Sequence, residues 1–368
     1  MDFIVKVGES IQSAVDAAHT NGGGRVVLEP GIHPSRTIYL KSFVELHLLS
    51  GARIQGSSKV EDYDDFCDPG FDAVAPEKSR KCLIAAAHAE NIAITGSGEI
   101  NGAGPAFYDT NVPEGAFFTK PPHPRPRMIQ FYDCRKVRFE GVSFVDSPGW
   151  TFWLMACEDV NIHRVTVTGC QQMINNDGID IDDCHRVTVS DCLIRTGDDC
   201  LILRAIRKSP DHHALCEGVT VTNCILDSRC QGIRVGCPSD DTIRNCSFSN
   251  IVIQGRGNGI NINNPKRYLQ PGCTGYLDLH DIVFNNLVIE SGGVPVWINI
   301  EEGVKLRRIG GMTFSNIRIN SDQPCRLEGS SETIIEDVRF SEIQCSRAFV
   351  VNNCRGISLN QIEIDNAS

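Results

Sequence analysis

Residues 137–144 read VRFEGVSF, residues 160–167 read VNIHRVTV and residues 187–194 read VTVSDCLI. Each segment places apolar side chains at positions 0, +2, +5 and +7: Val137, Phe139, Val142 and Phe144, then Val160, Ile162, Val165 and Val167, then Val187, Val189, Cys192 and Ile194. Two period-2 runs separated by a one-residue slip predict two short strands joined by a bend, with the same face inward on both. The spacing returns from Val219, Cys246, Ile282, Met312, Val338 and Ile357, giving nine copies within residues 137–364 whose starts lie 19 to 36 residues apart. That interval suits one coil of a parallel β-solenoid with loops of variable length. One coil cannot bury its apolar face alone, but coils stacked about 4.8 Å apart build a continuous core.

Working outward from the repeat, Ile11, Ala14, Val15 and Ala18 share one face of a predicted short amphipathic helix that Gly22, Gly23 and Gly24 end. The helix belongs to a cap region, residues 1–30, that closes the open end of the core. Short strands are predicted at residues 25–28, 44–49 and 91–94. No Pro/Gly/Ser linker or charge block interrupts the pattern, so residues 1–368 are expected to form one domain. The predicted class is all-β, a single parallel β-helix with a short N-terminal capping helix.

A net charge of −11 argues against nucleic acid or an anionic membrane as partner. No apolar run reaches transmembrane length, and Met1 to Lys6 hold neither the basic start nor the apolar stretch expected of a secretion leader. The 17 cysteines are odd in number and form no CxxC pair. Cys134, Cys157, Cys184, Cys216 and Cys354 each stand three residues before a repeat, and Cys192 and Cys224 share one inward slot. This regularity predicts a buried ladder of small apolar side chains rather than disulfides or a metal site. So many thiols favour a reducing compartment, so a cytoplasmic location is expected, or a secreted one if a leader has been trimmed. His212 and His213 have no partners at ligand spacing, and no metal or cofactor is expected.

Two repeats run into polar clusters, Asn175-Asn176-Asp177-Gly178 and Gly197-Asp198-Asp199-Cys200. Taking Ile179/Ile181, Leu201/Leu203, Ile233/Val235 and Ile260/Ile262 as inward pairs, parity puts Asp177, Asp199, Gln231 and Asn258 in one column. Asp198 lies one residue off it, at the strand entrance. Carboxylates on adjacent rungs are close enough to share a water and too close to ionise independently. The alternative is that they cap backbone N–H groups at Gly-rich turns.

The motif order then becomes informative. Residues 11–18 (IQSAVDAA), the glycines at 22–24, Pro30-Gly31, Leu40-Lys41-Ser42, Gly51-Ala52, residues 94–98 (ITGSG), residues 147–151 (SPGWT), the NxDGID run at 175–180 and the GDDC run at 197–200 occur in sequence. Over about residues 10–265 the chain resembles the family 28 glycoside hydrolases. The resemblance implies a right-handed β-helix with a cleft along one sheet, a pectin-type carbohydrate substrate and hydrolysis with inversion. By the same resemblance Asp198 is the general acid, and Asp177 and Asp199 orient and deprotonate water, the division of labour that inversion requires. Asn175 is expected to hold the turn or a substrate hydroxyl, and Asp180 is a further candidate contact.

The chain departs from the family pattern at two places. Cys230-Gln231-Gly232 replaces a Gly-His-Gly turn, and Asn261-Ile262-Asn263 replaces an Arg-Ile-Lys strand. Glutamine cannot carry a proton, and exchanging two cations for amides removes charge-assisted hydrogen bonds worth about 1.5–3 kcal/mol each. The expected substrate is therefore not ordinary polygalacturonate. Arg204 and Arg234 are candidates to replace the missing contacts, the alternative being salt bridges to Asp180 or Asp182. Trp297 is a candidate for stacking on a sugar ring, and Lys266 and Arg267 for the cleft rim. The loops 101–125, 205–217 and 264–281 are expected to wall the cleft, and closure of one end would make the enzyme exo-acting. Two other classes stay open: a non-catalytic glycan-binding β-helix, and a β-helical lyase or epimerase.

Overall fold

The computed structural model describes residues 1–68, 79–209, 211–268 and 276–364. Position 210 of the 205–217 loop and positions 269–275 of the 264–281 loop lie outside the described residues. The chain forms two compact units, residues 1–180 with 186–198, and residues 181–185 with 199–368. Both are built of parallel strands wound into β-helix coils, as the repeat predicts.

The one-residue slip has a backbone cause. In all nine repeats the residue at +4 has a positive φ: Gly141, Arg164, Asp191, Asn223, Asn250, Asn286, Asn316, Glu342 and Gln361. The residue just before position 0 does too, from Lys136 (φ 55°) to Gly356 (φ 68°). A single left-handed residue turns the chain through a corner and returns the next side chain to the same face. For residues other than glycine this conformation costs about 1–2 kcal/mol, least for Asn and Asp, which are common at these corners. Asn side chains also bond from rung to rung, Asn286 Nδ2 to Asn250 Oδ1 at 2.5 Å and Asn316 Nδ2 to Asn286 Oδ1 at 3.1 Å.

In the first unit α1 (Ile11–Thr20) has Ser10 as its N-cap, whose side chain accepts from Ser13 N, and buries Ile11, Val15 and Ala18. The helix ends where Gly22 and Gly23 adopt φ 86° and 123°. A Cβ on Gly23 would meet Phe43 O at 2.8 Å. The predicted strands form as Gly24–Leu28, Val44–Leu48 and Glu90–Gly96. The apolar slots stack in register, Val137 on Val160, Phe139 on Ile162 and Phe144 on Val167.

The second sheet of this unit contains Cys82–Ala87, Arg127–Tyr132 and Phe152–Met155, with Ile84, Ile129 and Phe152 in one column and Ala85, Gln130 and Trp153 in the next. Phe131 and Phe152 face inward, packing on Phe139 at ring distances of 5.5 and 5.0 Å. The opposite, outward face is also covered: Ala85, Gln130 and Trp153 are at most 1% exposed. Arg127 sits over Trp150 and Trp153 at 4.8 and 4.5 Å, and Phe66 meets Tyr132 edge-on at 6.4 Å.

In the second unit the repeat builds two unbroken columns. Val219, Cys246, Ile282, Met312 and Val338 align, as do Val221, Phe248, Phe284, Phe314 and Phe340. The four Phe rings stack nearly parallel, with centroids 4.9, 4.7 and 4.6 Å apart. The other sheet runs through Leu201–Ala205, Gln231–Ser239, Asn258–Asn263, Val296–Asn299, Arg326–Glu328 and Val350–Asn352. Its inward column is Leu201, Ile233, Ile260 and Val296.

The cysteine ladder is present in both units, except that Cys354, expected in it, is only half-buried. Cys134, Cys157, Cys184 and Cys216 are buried. The thiols of the first three donate to the carbonyl two residues earlier, each at 3.4 Å, on Tyr132, Met155 and Asp182. Cys216 donates to Ile181 O at 3.8 Å.

Candidate active site

The Asn175–Gly178 turn closes against the sheet of the first unit. Thr151 N donates to Asp177 O at 2.8 Å and Phe152 N to Gly178 O at 3.0 Å, so the turn continues the strand Phe152–Met155 by one rung. Asn175 is in the left-handed region, φ 58°, which aims its N–H at Asp198 Oδ2, 2.7 Å away. Asn176, buried, accepts at Oδ1 from both Gly197 N (2.9 Å) and Asp198 N (3.0 Å) and donates Nδ2 to Cys170 O at 2.9 Å. Gly197 admits no side chain, since a Cβ would lie 2.1 Å from Met173 O. The two polar clusters thus share hydrogen bonds, and Asp198 is half-buried while Asp177 is buried.

The loop at 101–125 supplies three residues that the sequence pattern did not single out. Arg125, buried, donates Nη2 to Asn175 Oδ1 at 2.9 Å and Nη1 to Ile174 O at 3.0 Å, and also bonds the Tyr108 hydroxyl. Lys120 Nζ reaches Asn175 Oδ1 at 3.3 Å. Burial pushes the Tyr108 phenol well above its ordinary range, Arg125 opposes this, and the Asp198 and Asp177 carboxylates raise it further. Both carboxylates therefore act on the same hydroxyl. Loop residues carry no periodic pattern, so only their chemical type was available as a signal.

Asp199 follows Asp198 directly in the chain and belongs to the second unit. Cys200 N donates to Gln231 O at 2.9 Å. The register of Leu201 on Ile233 and of Gln231 on Asn258 puts Asp199, Gln231 and Asn258 on one column, as parity predicts. Gln231 sits in an amide chain: Asn258 Nδ2 donates to its Oε1 at 2.9 Å, and Asn258 Oδ1 accepts from Val294 N at 2.7 Å. Arg234 Nη1 meets Asp199 Oδ2 at 3.0 Å, and Arg234 Nη2 donates to Asn263 Oδ1 at 3.4 Å. Asn261 is buried between Arg234 and Trp297 in the register.

Trp297 is half-buried, with Nε1 donating to Glu328 Oε2 at 2.8 Å. Asp180 is fully buried, and Arg204, also buried, donates Nη1 to Cys237 O. Asp182 takes a partner the sequence reading missed, Lys208 at 2.8 Å, both side chains fully buried. His212 pairs with Asp183 at 2.7 Å. The two come together because the 205–217 loop folds back on its own coil, a contact that residue spacing does not encode. Lys266 and Arg267 are exposed, the latter 4.8 Å over the Tyr268 ring.

With this geometry in hand, similarity to known proteins is informative. The model of the family described as Glycosyl hydrolases family 28 matches residues 52–339. A probable polygalacturonase of Arabidopsis thaliana is 26% identical over 219 residues, covering 57% of this chain and 41% of that protein. The chain spans about half the length of such relatives. Among solved structures, a hyperthermoactive exopolygalacturonase from Thermotoga maritima is similar with a TM-score of 0.80 at 20% identity, covering 99% of this chain and 92% of that one. A polygalacturonase from Erwinia carotovora gives 0.77 at 18% identity, covering 95% of each chain. These structural likenesses bear on the fold, which is that of the right-handed parallel β-helix.

Proposed function

The chain belongs to the glycosyl hydrolases of family 28, and we propose that it cleaves glycosidic bonds of a pectin-derived poly- or oligosaccharide with inversion. Asp198 is the general acid, and Asp177 and Asp199 activate the water. The observation that carries this reading is the grip on Asp198: Asn175 N–H fixes one carboxyl oxygen at 2.7 Å, and Asn176 fixes the backbone on either side of the Gly197–Asp198 bond. A carboxyl bonded by a backbone N–H, on a main chain pinned by a buried amide, is aimed before the substrate arrives, as proton transfer to a leaving oxygen requires.

The substrate is proposed to differ from ordinary polygalacturonate. Gln231, Asn261 and Asn263 carry amides where the family pattern has an imidazole and two cations, and amides suit hydroxyls. End-directed attack is supported by the covered outward face of Phe152–Met155 and Arg127–Tyr132. The first of these strands is hydrogen-bonded to the Asp177 turn, and each rung spans about 4.8 Å, so the described rungs next to that turn are covered rather than open.

The test is incubation with defined pectic oligosaccharides, neutral and uronate-containing, with product anomer and length followed by NMR. Inverted product released from one chain end is expected. A retained anomer would sink the mechanism, and a ladder of internal fragments would sink the end-directed reading. An unsaturated, ultraviolet-absorbing product would mark a lyase, and binding without turnover a lectin-like β-helix.

A further inference from the structure

We infer that Arg234 is a positioning residue for Asp199, and that this duty withdraws it from reading a sugar carboxylate. The inference rests on the reading above in which Asp199 helps to activate water. Arg234 rises from Gln231–Ser239, one rung from the strand Asn258–Asn263 whose cations are missing. Its two terminal nitrogens point to protein acceptors, Nη1 to Asp199 Oδ2 at 3.0 Å and Nη2 to Asn263 Oδ1 at 3.4 Å.

The pair is nearly out of water, with side chains 8% and 1% exposed. Burial, the largest influence, works against the Arg234 charge, but the Asp199 carboxylate together with Cys237 and Cys230 favours it, and the net effect raises the guanidinium above the ordinary arginine range. Arginine recognises a carboxylate best as a two-pronged fork. Here one prong is committed to a protein carboxylate, and the other is steadied by the amide that stands in place of a family lysine. Asn263 thus acts as the second anchor of the arginine. Of the two positive charges missing at residues 261 and 263, residue 234 supplies one, and it is turned toward Asp199.

Without its cation Asp199 would lose a buried contact that helps to hold its orientation, and a misplacement of about 1 Å at a reacting group can cost 100-fold in rate. The experiment compares Arg234→Gln, Arg234→Lys, Asp199→Asn and the double Arg234→Gln/Asp199→Asn on a neutral and a uronate pectic oligosaccharide, with urea unfolding of each protein. Arg234→Gln is expected to lower kcat about 100-fold on both substrates with KM little changed. Arg234→Lys should recover part of kcat, and the double variant should be no slower than Asp199→Asn.

A rise in KM confined to the uronate substrate, with kcat intact, would make Arg234 a carboxylate clamp and overturn the inference. So would losses that simply add in the double variant. If Arg234→Gln does not fold, Arg234→Lys carries the comparison. If the wild-type protein turns over neither substrate, the hydrolase reading fails and with it the duty assigned to Asp199. The unfolding cycle then reports separately whether the two residues are coupled at all.

Discussion

The backbone N–H of Asn175 donates to Oδ2 of Asp198 across 23 residues of chain, at 2.7 Å. Because the donor is main chain, it outlasts side-chain substitution at 175. Asp198→Asn keeps an oxygen to accept this bond but has no carboxyl proton to give. Turnover of pectic oligosaccharide should fall by about 10²–10⁴-fold with the urea midpoint nearly unchanged. Full-rate turnover in this variant would refute the assignment.

Asn176, itself 1% exposed, joins three partners, Gly197 N, Asp198 N and Cys170 O. Asn176→Ala strands all three. At about 1–3 kcal/mol for each unsatisfied buried group, with relaxation recovering part, a loss of about 3 kcal/mol is expected from denaturant unfolding. A loss below about 1 kcal/mol would show that the turn holds without it.

Lys208 and Asp182 form a fully buried ion pair, and Asp182 also accepts from Ile206 N at 2.8 Å. Lys208→Met leaves a carboxylate in the interior and should cost about 3–5 kcal/mol. Pairing it with Asp182→Leu should restore much of that, because the desolvated charge goes too. Equal unfolding free energies for single and double variants would contradict this.

His88 lies between Asp133 and Asp68, at 2.7 and 2.8 Å. The hydrogen bond to Asp133 raises its pKa, partial burial opposes, and Asp68 raises it further. A folded-state value above the unfolded value, near about 6.5, stabilises the protein fully below that value. The contribution is lost as pH rises through the folded value. Tm should therefore fall over that window in the native protein and less steeply in His88→Gln. Parallel slopes would remove His88 from the account.

The repeat was legible because its apolar slots obey a count that backbone geometry imposes, down to a left-handed residue at every corner. Strands such as Cys82–Ala87 and Phe152–Met155 were not, because both of their faces are buried and their sequences lack alternation. Along the chain Asp177, Asp198 and Asp199 announced themselves as carboxylates in two polar clusters, and within the second unit parity aligned Asp199 with Gln231 and Asn258. Arg125, Tyr108 and Lys208 stayed hidden. Each acts from a loop, and a loop's destination depends on tertiary contacts that local spacing does not encode.

The corner rule has an evolutionary consequence. Since each turn of the chain is made by the same backbone state at the same count, and Phe248, Phe284, Phe314 and Phe340 meet their neighbours at nearly equal distances, a coil is an interchangeable cassette. Duplication or excision of one presents the next with an unchanged surface. Lineages can therefore lengthen or shorten such a wall, and lavish insertions on its loops, without renegotiating the spine that holds the carboxylates.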